Sequence, residues 1–252
     1  MGKARDDHKA AGEESRRRRS KRPEAAGAEA VDMDYLAAVT AHVEKTVGPC
    51  GQVLQSQSPD HIQVDVLLIN PDPERPWHTL VTCGMGARPM AAPPDRADEA
   101  RLELAFCLPP DWPPLVSQGR GSWAPGPGAW IANSLTATAK LPFMFNTFFD
   151  EGRTTPNGDP PRPIAQGSRL CCGLLARPGR ISHPSFPRLK LPDGSSVRFL
   201  SLIMLHQAEM DFKLRRGYEA LMTRLEKNEV DELLILDRPS VCRGGLLGLL
   251  GF

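Results

Sequence analysis

The stretch NPDPERPWHTLVTCGM, residues 70–85, brings a histidine and a cysteine, His78 and Cys83, within five positions. An imidazole beside a thiol is the arrangement by which a base activates a sulfur nucleophile. On a regular strand, however, an odd separation sends two side chains to opposite faces, so these two meet only across a bulge. Cys83 is better read as a small apolar filler, since unpaired cysteine is among the most buried residue types. His61 and Asp65 do share a face, and an aspartate can orient a catalytic histidine. No serine or cysteine in a recognisable nucleophile turn accompanies them. A hydrolase built on His61 and Asp65 needs a thiol or hydroxyl from another segment, Cys107 for instance, and a hydrogen-bonded pair on the polar face of a strand is the simpler reading.

Glu99, Arg101 and Glu103 also fall on one strand face, with carboxyls roughly 7 Å apart, a spacing open to general acid–base work. Arg101 between them favours two paired, ionised carboxylates, which are poor proton donors. Gly119-Arg-Gly121 and Gly126-Pro-Gly128 lack the pattern of a phosphate loop and do not join a strand to a helix. The histidines show neither HExxH nor HxxxH spacing, and the cysteines at 50, 83, 107, 171, 172 and 242 contain no CxxC. No metal and no cofactor is expected, and no catalytic set emerges.

The elements that carry these residues are legible from periodicity. Residues 32–47 read as a helix, with Asp32 suited to the N-cap, Leu36, Val39, Val43 and Val47 in one stripe, and Gly48-Pro49 as the stop. HIQVDVLLI (61–69) alternates, with Ile62, Val64, Val66 and Leu68 on a buried side and His61, Gln63 and Asp65 on the other. WHTLVTCGM is a second strand and EARLELAFCL (99–108) a third, with Leu102, Leu104, Phe106 and Leu108 inward. A Pro- and Gly-rich stretch, 109–129, leads to a short helix over 131–140, stopped by Pro142. Strands follow at 168–175, where Cys171 and Cys172 are expected on opposite faces, and at 196–205.

The strongest helical pattern lies within 206–227. Met210, Leu214, Tyr218, Leu221 and Leu225 form one core-facing stripe, supported by Glu209–Lys213 and Asp211–Arg215 pairs. Gly217 inside it suggests a close approach to the backbone. DELLILD (231–237) reads as a final strand. This order predicts an α+β domain: a mixed, mostly antiparallel sheet with helices packed against it, in a single domain over 32–240.

The sequence has 252 residues, with 31 basic against 30 acidic side chains. Residues 1–30 hold nine Lys/Arg and six Asp/Glu, leaving 22 against 24 in the rest, so the folded part is near neutral. Residues 1–31 lack apolar periodicity and read as a disordered basic tail, solvated rather than built for binding, although RRRRSKR is able to make weak contacts with nucleic acid or an acidic surface. Residues 241–252 form an apolar C-terminal tail. No apolar run approaches the roughly 18–20 residues that span a bilayer, and no secretory signal opens the chain. A soluble, cytoplasmic protein is expected, without membrane or specific nucleic-acid partners. Binding surfaces favour Trp, Tyr and Arg. Trp112, Arg120 and Trp123 in the Pro/Gly stretch and Trp77 in the opening stretch are therefore the candidate partner-binding residues, while a role as a lid on the sheet is the alternative for Trp112 and Trp130. An exposed sheet edge, adding a partner's strand, is a second route.

The series VDVLLINP, Pro76, HTLVTCGM with Met90 shortly after, RLELAFCLPPDWP and FLSLIMLHQAEMDFKLRRGYEALM resembles the suppressor of fused domain in its short bacterial form, over about residues 33–240. Met204 stands where relatives often carry proline, and neither the Arg-rich tail nor GGLLGLLGF belongs to the pattern. The resemblance implies a non-enzymatic protein-binding domain. It also implies a role of the kind assigned to bacterial relatives, immunity proteins that neutralise toxins. The animal proteins clasp a peptide between two halves, and this chain is too short for the second half. The Pro-rich opening stretch then reads as a stiffened connection between neighbouring strands. A chain starting at Met33 is expected to keep the full thermal transition of the 252-residue protein, measured by calorimetry or circular dichroism; a midpoint lower by several degrees would show that the tail packs on the domain.

Overall fold

The computed structural model describes residues 33–55, 62–113 and 128–242. The expected basic tail, Asp32, His61, Arg120, Trp123 and most of the apolar C-terminal tail lie outside these residues. The elements run α1 (Met33–Thr46), β1 (Cys50–Leu54), β2 (Asp65–Ile69), β3 (His78–Cys83), β4 (Arg101–Leu108), α2 (Trp130–Met144), β5 (Thr154–Pro156), β6 (Leu170–Ala176), β7 (Arg188–Lys190), β8 (Ser196–His206), α3 (Gln207–Arg216) and α4 (Tyr218–Lys227), with 3₁₀ turns at Met85–Ala87 and Pro94–Glu99. One eight-stranded sheet has the order β1-β2-β3-β4-β8-β6-β5, and β7 also pairs with β8. Among the described strands only the β4–β8 pairing is parallel. This is the mixed, mostly antiparallel α+β architecture that the periodicities predict.

Alternation along the strands sorts the core onto two faces. Leu80 faces Phe106, Leu104 faces Leu200 and Leu175 faces Leu202 across the ladders, and α2 covers this side with Ile131, Leu135 and Ala139. On the other side α1 lays Tyr35, Val39 and Val43 over Leu67, Ile69, Val81 and Ala105. Further along that same side, Met210, Leu221 and Leu225 from α3 and α4 cover Leu174, Ile203 and Leu205. Strand β2 therefore has no solvent face: all five of its residues are buried, Asp65 included. The expectation of a polar second side fails because α1 packs over Leu67 and Ile69.

Other expectations are corrected as well. Helix α2 runs through Pro142 to Met144 although the proline gives up one i→i−4 hydrogen bond, and Phe145 N bonds Leu141 O at 3.0 Å just beyond its end. The single helix over 206–227 is two helices, broken at Gly217 with φ 89° and ψ 169°. Nothing lies within 4 Å of where a Gly217 Cβ would stand, so the glycine supplies a backbone conformation and not a close approach. The break takes Leu214 off the stripe and leaves it 67% exposed. Residues 231–237 form no strand, only a parallel bridge from Leu233 to Cys107. Short strands β1, β5 and β7 escape the sequence reading, being three to five residues long. A register shift between Leu170 and Cys172 brings Cys171 and Cys172 into one cluster instead of opposite faces.

The charges on α3 also pair differently from the i,i+4 expectation. Glu209, buried, receives both terminal nitrogens of Arg238 and the backbone N–H groups of His206 and Val241, the latter two at 2.9 and 2.8 Å. Arg238 also donates to Met204 O at 2.7 Å. Asp211 accepts from Gln207 at 2.9 Å. A second cluster joins Arg198 of β8 to Asp150 (2.9 Å), Glu99 (3.1 Å) and Phe149 O (2.9 Å), with Arg96 bonded to both carboxylates. Burial alone would raise the Asp150 carboxyl, but hydrogen bonds from Arg96 and Arg198 outweigh it and hold it at about 2.

Phe106 is 1% exposed and Leu214 lies in solvent. Phe106→Ala is expected to cost about 3–5 kcal/mol through cavity formation, and Leu214→Ala less than about 0.5 kcal/mol. Urea unfolding of the two variants beside the parent chain checks both values.

Candidate functional site

The groups that suggested chemistry are held as follows. His78 and Cys83 stand at the two ends of β3. Cys83 is buried, its thiol donates weakly to Leu36 O at 3.8 Å, and burial pushes its pKa far up. The His78 imidazole is pushed down by burial. No dyad forms between them. Asp65 sits directly opposite Cys83 on β2 and accepts from Gln63 at 3.2 Å. Cys107 instead pairs with Thr79, four residues along β3, roughly 13 Å from the Asp65 end of the strand. The Cys107 thiol is fully buried and pushed up by that burial and by the nearby Glu232. A thiolate is the nucleophile, so thiols held neutral in this way are inert.

The expected ladder of Glu99, Arg101 and Glu103 is not an ion-pair ladder. Glu99 belongs to the Arg96–Arg198 cluster, and Arg101 spends its guanidinium on Gly86 O (2.8 Å) and Ala87 O (2.6 Å). Glu103 turns inward, because β4 is covered on this side by α1. It accepts from Tyr35 Oη (2.6 Å), Thr82 Oγ1 (2.5 Å), Gly84 N (2.9 Å) and Gly86 N (3.0 Å). Burial pushes its carboxyl up against the pull of these four donors. Thr82 is itself the acceptor for Leu104 N at 2.8 Å, just past the last ladder pair, Val81–Ala105. Glu103 thus pins β3, β4, α1 and the 3₁₀ turn together and presents no free oxygen to a substrate.

Three more charges are buried, of which the sequence reading marked only Glu209, and that as a surface pair with Lys213. Glu232 accepts from Gly179 N (2.9 Å) and Arg180 N (2.8 Å), two successive backbone donors, and burial raises its carboxyl. Glu209 and Arg238 form the pair already described. The sequence signal for Glu209 was the spacing of a helix capping box, His206 with Glu209 three residues on; Glu232 and Arg238 carried no local signal, since their partners are distant in sequence. Among the described residues no three His, Cys, Asp or Glu side chains are grouped to hold a metal, and no helix is long and apolar enough to cross a membrane.

The candidate binding residues divide. Trp77 is half-buried, with the Arg180 guanidinium 5.0 Å from its ring centre, and Arg180 pairs with Asp231 at 2.8 Å. Trp112 packs on the α2-side core with its ring 5.8 Å from that of Trp130, and its indole N–H reaches Gly128 O at 3.4 Å. A Cβ at Gly128 would stand 2.6 Å from Pro113 O and 2.8 Å from Trp112 Nε1, so a glycine is required for that closure. The lid reading therefore describes Trp112 and Trp130 well, and Trp77 belongs to a separate cluster. All three rings are half-buried, and the buried Trp77 indole N–H has no hydrogen-bond partner among the described residues.

Residues 60–239 match the model of the family described as suppressor of fused protein (SUFU). Among solved structures, a protein described as a SUFU homolog from Neisseria gonorrhoeae is 19% identical, with a TM-score of 0.61, covering 85% of this chain and 100% of its own. A chain of the Sufu–Fu complex is 14% identical, with a TM-score of 0.57, covering 82% of this chain and 92% of its own. Drosophila Suppressor of Fused is 15% identical, with a TM-score of 0.58; the match covers 82% of this chain but 51% of that one. No curated protein matches the chain.

Ellman's reagent at neutral pH is expected to leave Cys83, Cys107 and Cys172 unmodified in the folded protein and to reach the half-buried Cys242 first. All six thiols react after unfolding. Rapid native labelling of Cys83 or Cys107, mapped by peptide mass spectrometry, would restore the thiol-enzyme alternative.

Proposed function

The chain belongs to the suppressor of fused protein family, and on that premise we propose that it is a non-enzymatic domain that binds another protein, a toxin or other effector, in the manner of an immunity protein. The observation that carries the non-enzymatic part is the state of its titratable groups. Glu103 and Glu232 are spent on backbone and hydroxyl donors, Glu209 on Arg238, and the thiols of Cys83 and Cys107 are sealed in the core. Such groups hold a structure together and have no exposed proton or lone pair to offer. The hydrolase alternative, with His61, Asp65 and a thiol, draws no support from the described residues: Asp65 and Cys107 stand opposite different ends of β3, and the thiol that Asp65 does face, Cys83, is buried and pushed up by that burial.

The Sufu–Fu complex supports the binding reading: there the same fold is found together with another protein. Six unpaired cysteines fit a reducing compartment, the cytoplasm. For the surface, Trp77 with Arg180 over its ring supplies the residue types that anchor interfaces. Arg120 and Trp123 are proposed alongside them, with Trp112 contributing chiefly through its packing on Trp130. The effector class rests on the family resemblance.

Capture of partners from cells that natively make the protein tests this reading. The Arg120→Ala/Trp123→Ala double variant and, separately, Trp77→Ala are expected to keep the parent's thermal midpoint and to lose its main partner at least tenfold in yield. If both hold that partner as well as the parent does, these side chains are not the binding surface. Capture of a low-molecular-weight substrate with turnover, instead of a protein, would overturn the non-enzymatic reading.

A further inference from the structure

Helix α2 turns Ile131, Leu135 and Ala139 into the core, and its opposite arc carries no charge. At 3.6 residues per turn, Ser134, Ala137, Thr138, Leu141, Met144 and Phe145 fall on that arc, spaced i, i+3, i+4, i+7, i+10 and i+11. Phe145 stands just past the last turn, yet its N–H still bonds Leu141 O at 3.0 Å, so the row continues through it. None of the six is buried, and the two largest stand furthest out, Met144 66% and Phe145 70% exposed. The one charged side chain of α2, Lys140, is buried. A helix that packs one face on a core normally shows charged residues on the other. Contiguous large apolar side chains in that place mark an interaction surface.

The two halves of the row differ in shape. The N-terminal half is small, and beside it opens a cavity of about 290 Å³, rimmed by Ser134, Ala137, Thr138 and Leu141 and walled by Phe106 and Leu202. The rim hydroxyls donate to their own helix, Ser134 Oγ to Trp130 O at 2.9 Å and Thr138 Oγ1 to Ser134 O at 2.8 Å. The opening therefore selects an apolar occupant. An apolar cavity of about 150 Å³ holds a benzene ring, so a phenylalanine side chain enters this one with space left. The C-terminal half of the row carries such a side chain in Phe145. Within one molecule, however, Phe145 stands about 12 Å along the helix axis from Ala137, and it faces solvent.

A second copy removes the mismatch. Ala137 and Phe145 lie four residues on either side of Leu141, about 6 Å each way. A two-fold axis beside Leu141, perpendicular to α2, reverses the second helix and sets the small half of each against the large half of the other, Leu141 meeting its own equivalent. Such an axis keeps the flanks of the two helices in register. Phe145, seven residues on from Thr138, is on the flank that borders the cavity. Every contact is then made twice, the self-complementarity that a two-fold dimer requires. An uncharged arc also brings no like charges together when it meets itself. The area is modest: an aromatic side chain buries about 150–250 Å², and an arc about 22 Å long falls short of the roughly 800 Å² per partner of a standard interface.

We propose that two copies of this chain associate through α2, antiparallel about a two-fold axis at Leu141, with Phe145 of each seated in the cavity of the other. The dimer is weak and concentration-dependent, with a dissociation constant between about 10 μM and about 1 mM, as that area implies. This proposal stands apart from the partner-binding reading and does not rest on it.

Sedimentation equilibrium of the full chain, from about 5 μM to about 1 mM, is expected to show the average mass rising from the monomer's 27.6 kDa towards twice that value. A mass that stays at the monomer value throughout overturns the proposal. Phe145→Asp and, separately, Ala137→Arg are each expected to keep the parent's thermal midpoint and to weaken self-association at least tenfold. Either variant, folded and associating like the parent, also overturns it. The contact is mapped with the photo-cross-linker p-benzoylphenylalanine in place of Phe145, an exposed position where the ring is retained. An equal mixture of ¹⁵N-labelled and unlabelled protein is irradiated, and the linked peptides are identified by mass spectrometry. Links that join labelled to unlabelled copies and end within residues 130–141, at Phe106 or at Leu202 are expected. Links confined to one isotopic species show that the chain covers its own arc, and links between copies that end elsewhere place the contact on another surface. Either result overturns the proposal.

Discussion

Covering a sheet on both faces leaves water no access to its middle, so every polar group carried into it must find its partner inside the protein. Strand β8 sets this condition, running eleven residues between β4 and β6 with α2 on one side and α1, α3 and α4 on the other. The responses are all of one kind. Glu103 gathers two backbone amides and two hydroxyls, Glu232 two successive amides, and Glu209 an arginine and two amides. Each of these carboxyls sits where a strand or helix end leaves backbone donors unpaired. They complete the secondary structure in places where its own ladder stops.

The same condition narrows the chemistry open to the fold. Carboxyls and thiols that are anchored and dry hold elements in register, and removing one partner leaves the other buried and unpaired, at a cost of roughly 1–3 kcal/mol or more for a charged group. The proposed binding surface accordingly belongs to the irregular part: the tryptophans at the chain turns, the arginine over Trp77, and the strand edges at β1 and β5. A binding domain of this family needs a stable frame with variable loops, and this division of labour provides one.

The frame was largely legible from alternation and helical spacing. Strands β2, β3, β4, β6 and β8 and helix α1 follow from residues whose partners are local or of the same kind, leucine on leucine. What periodicity did not carry were features decided by distant contacts. Asp65 and Glu103 look like members of a polar face, because nothing in β2 or β4 announces that α1 lies over them. The stripe through Leu214 is helical in spacing throughout, and only the backbone conformation at Gly217 divides it. Residues 231–237 have the composition of a strand, yet β8 already occupies the place beside β4, leaving them room for a single bridge at Cys107. For the candidate site, Trp77 and Trp112 were recognisable by type, but Arg180 as the partner of Trp77 comes from a hundred residues further along and left no local mark.

The parallel pairing of β4 with β8 has a consequence for how the molecule is made. Antiparallel β1 to β4 each lie beside the strand made just before, so each has its partner available as soon as it leaves the ribosome. The free edge of β4 then waits while residues 109–195 are synthesised, for its partner is β8. During that interval a row of unpaired amides and carbonyls, flanked by Leu102, Leu104 and Phe106, stands open to any other extended chain. The nascent protein is therefore most prone to self-association at intermediate length, and the bridge of Leu233 to Cys107 is the stitch that finally closes the exposed end of that strand.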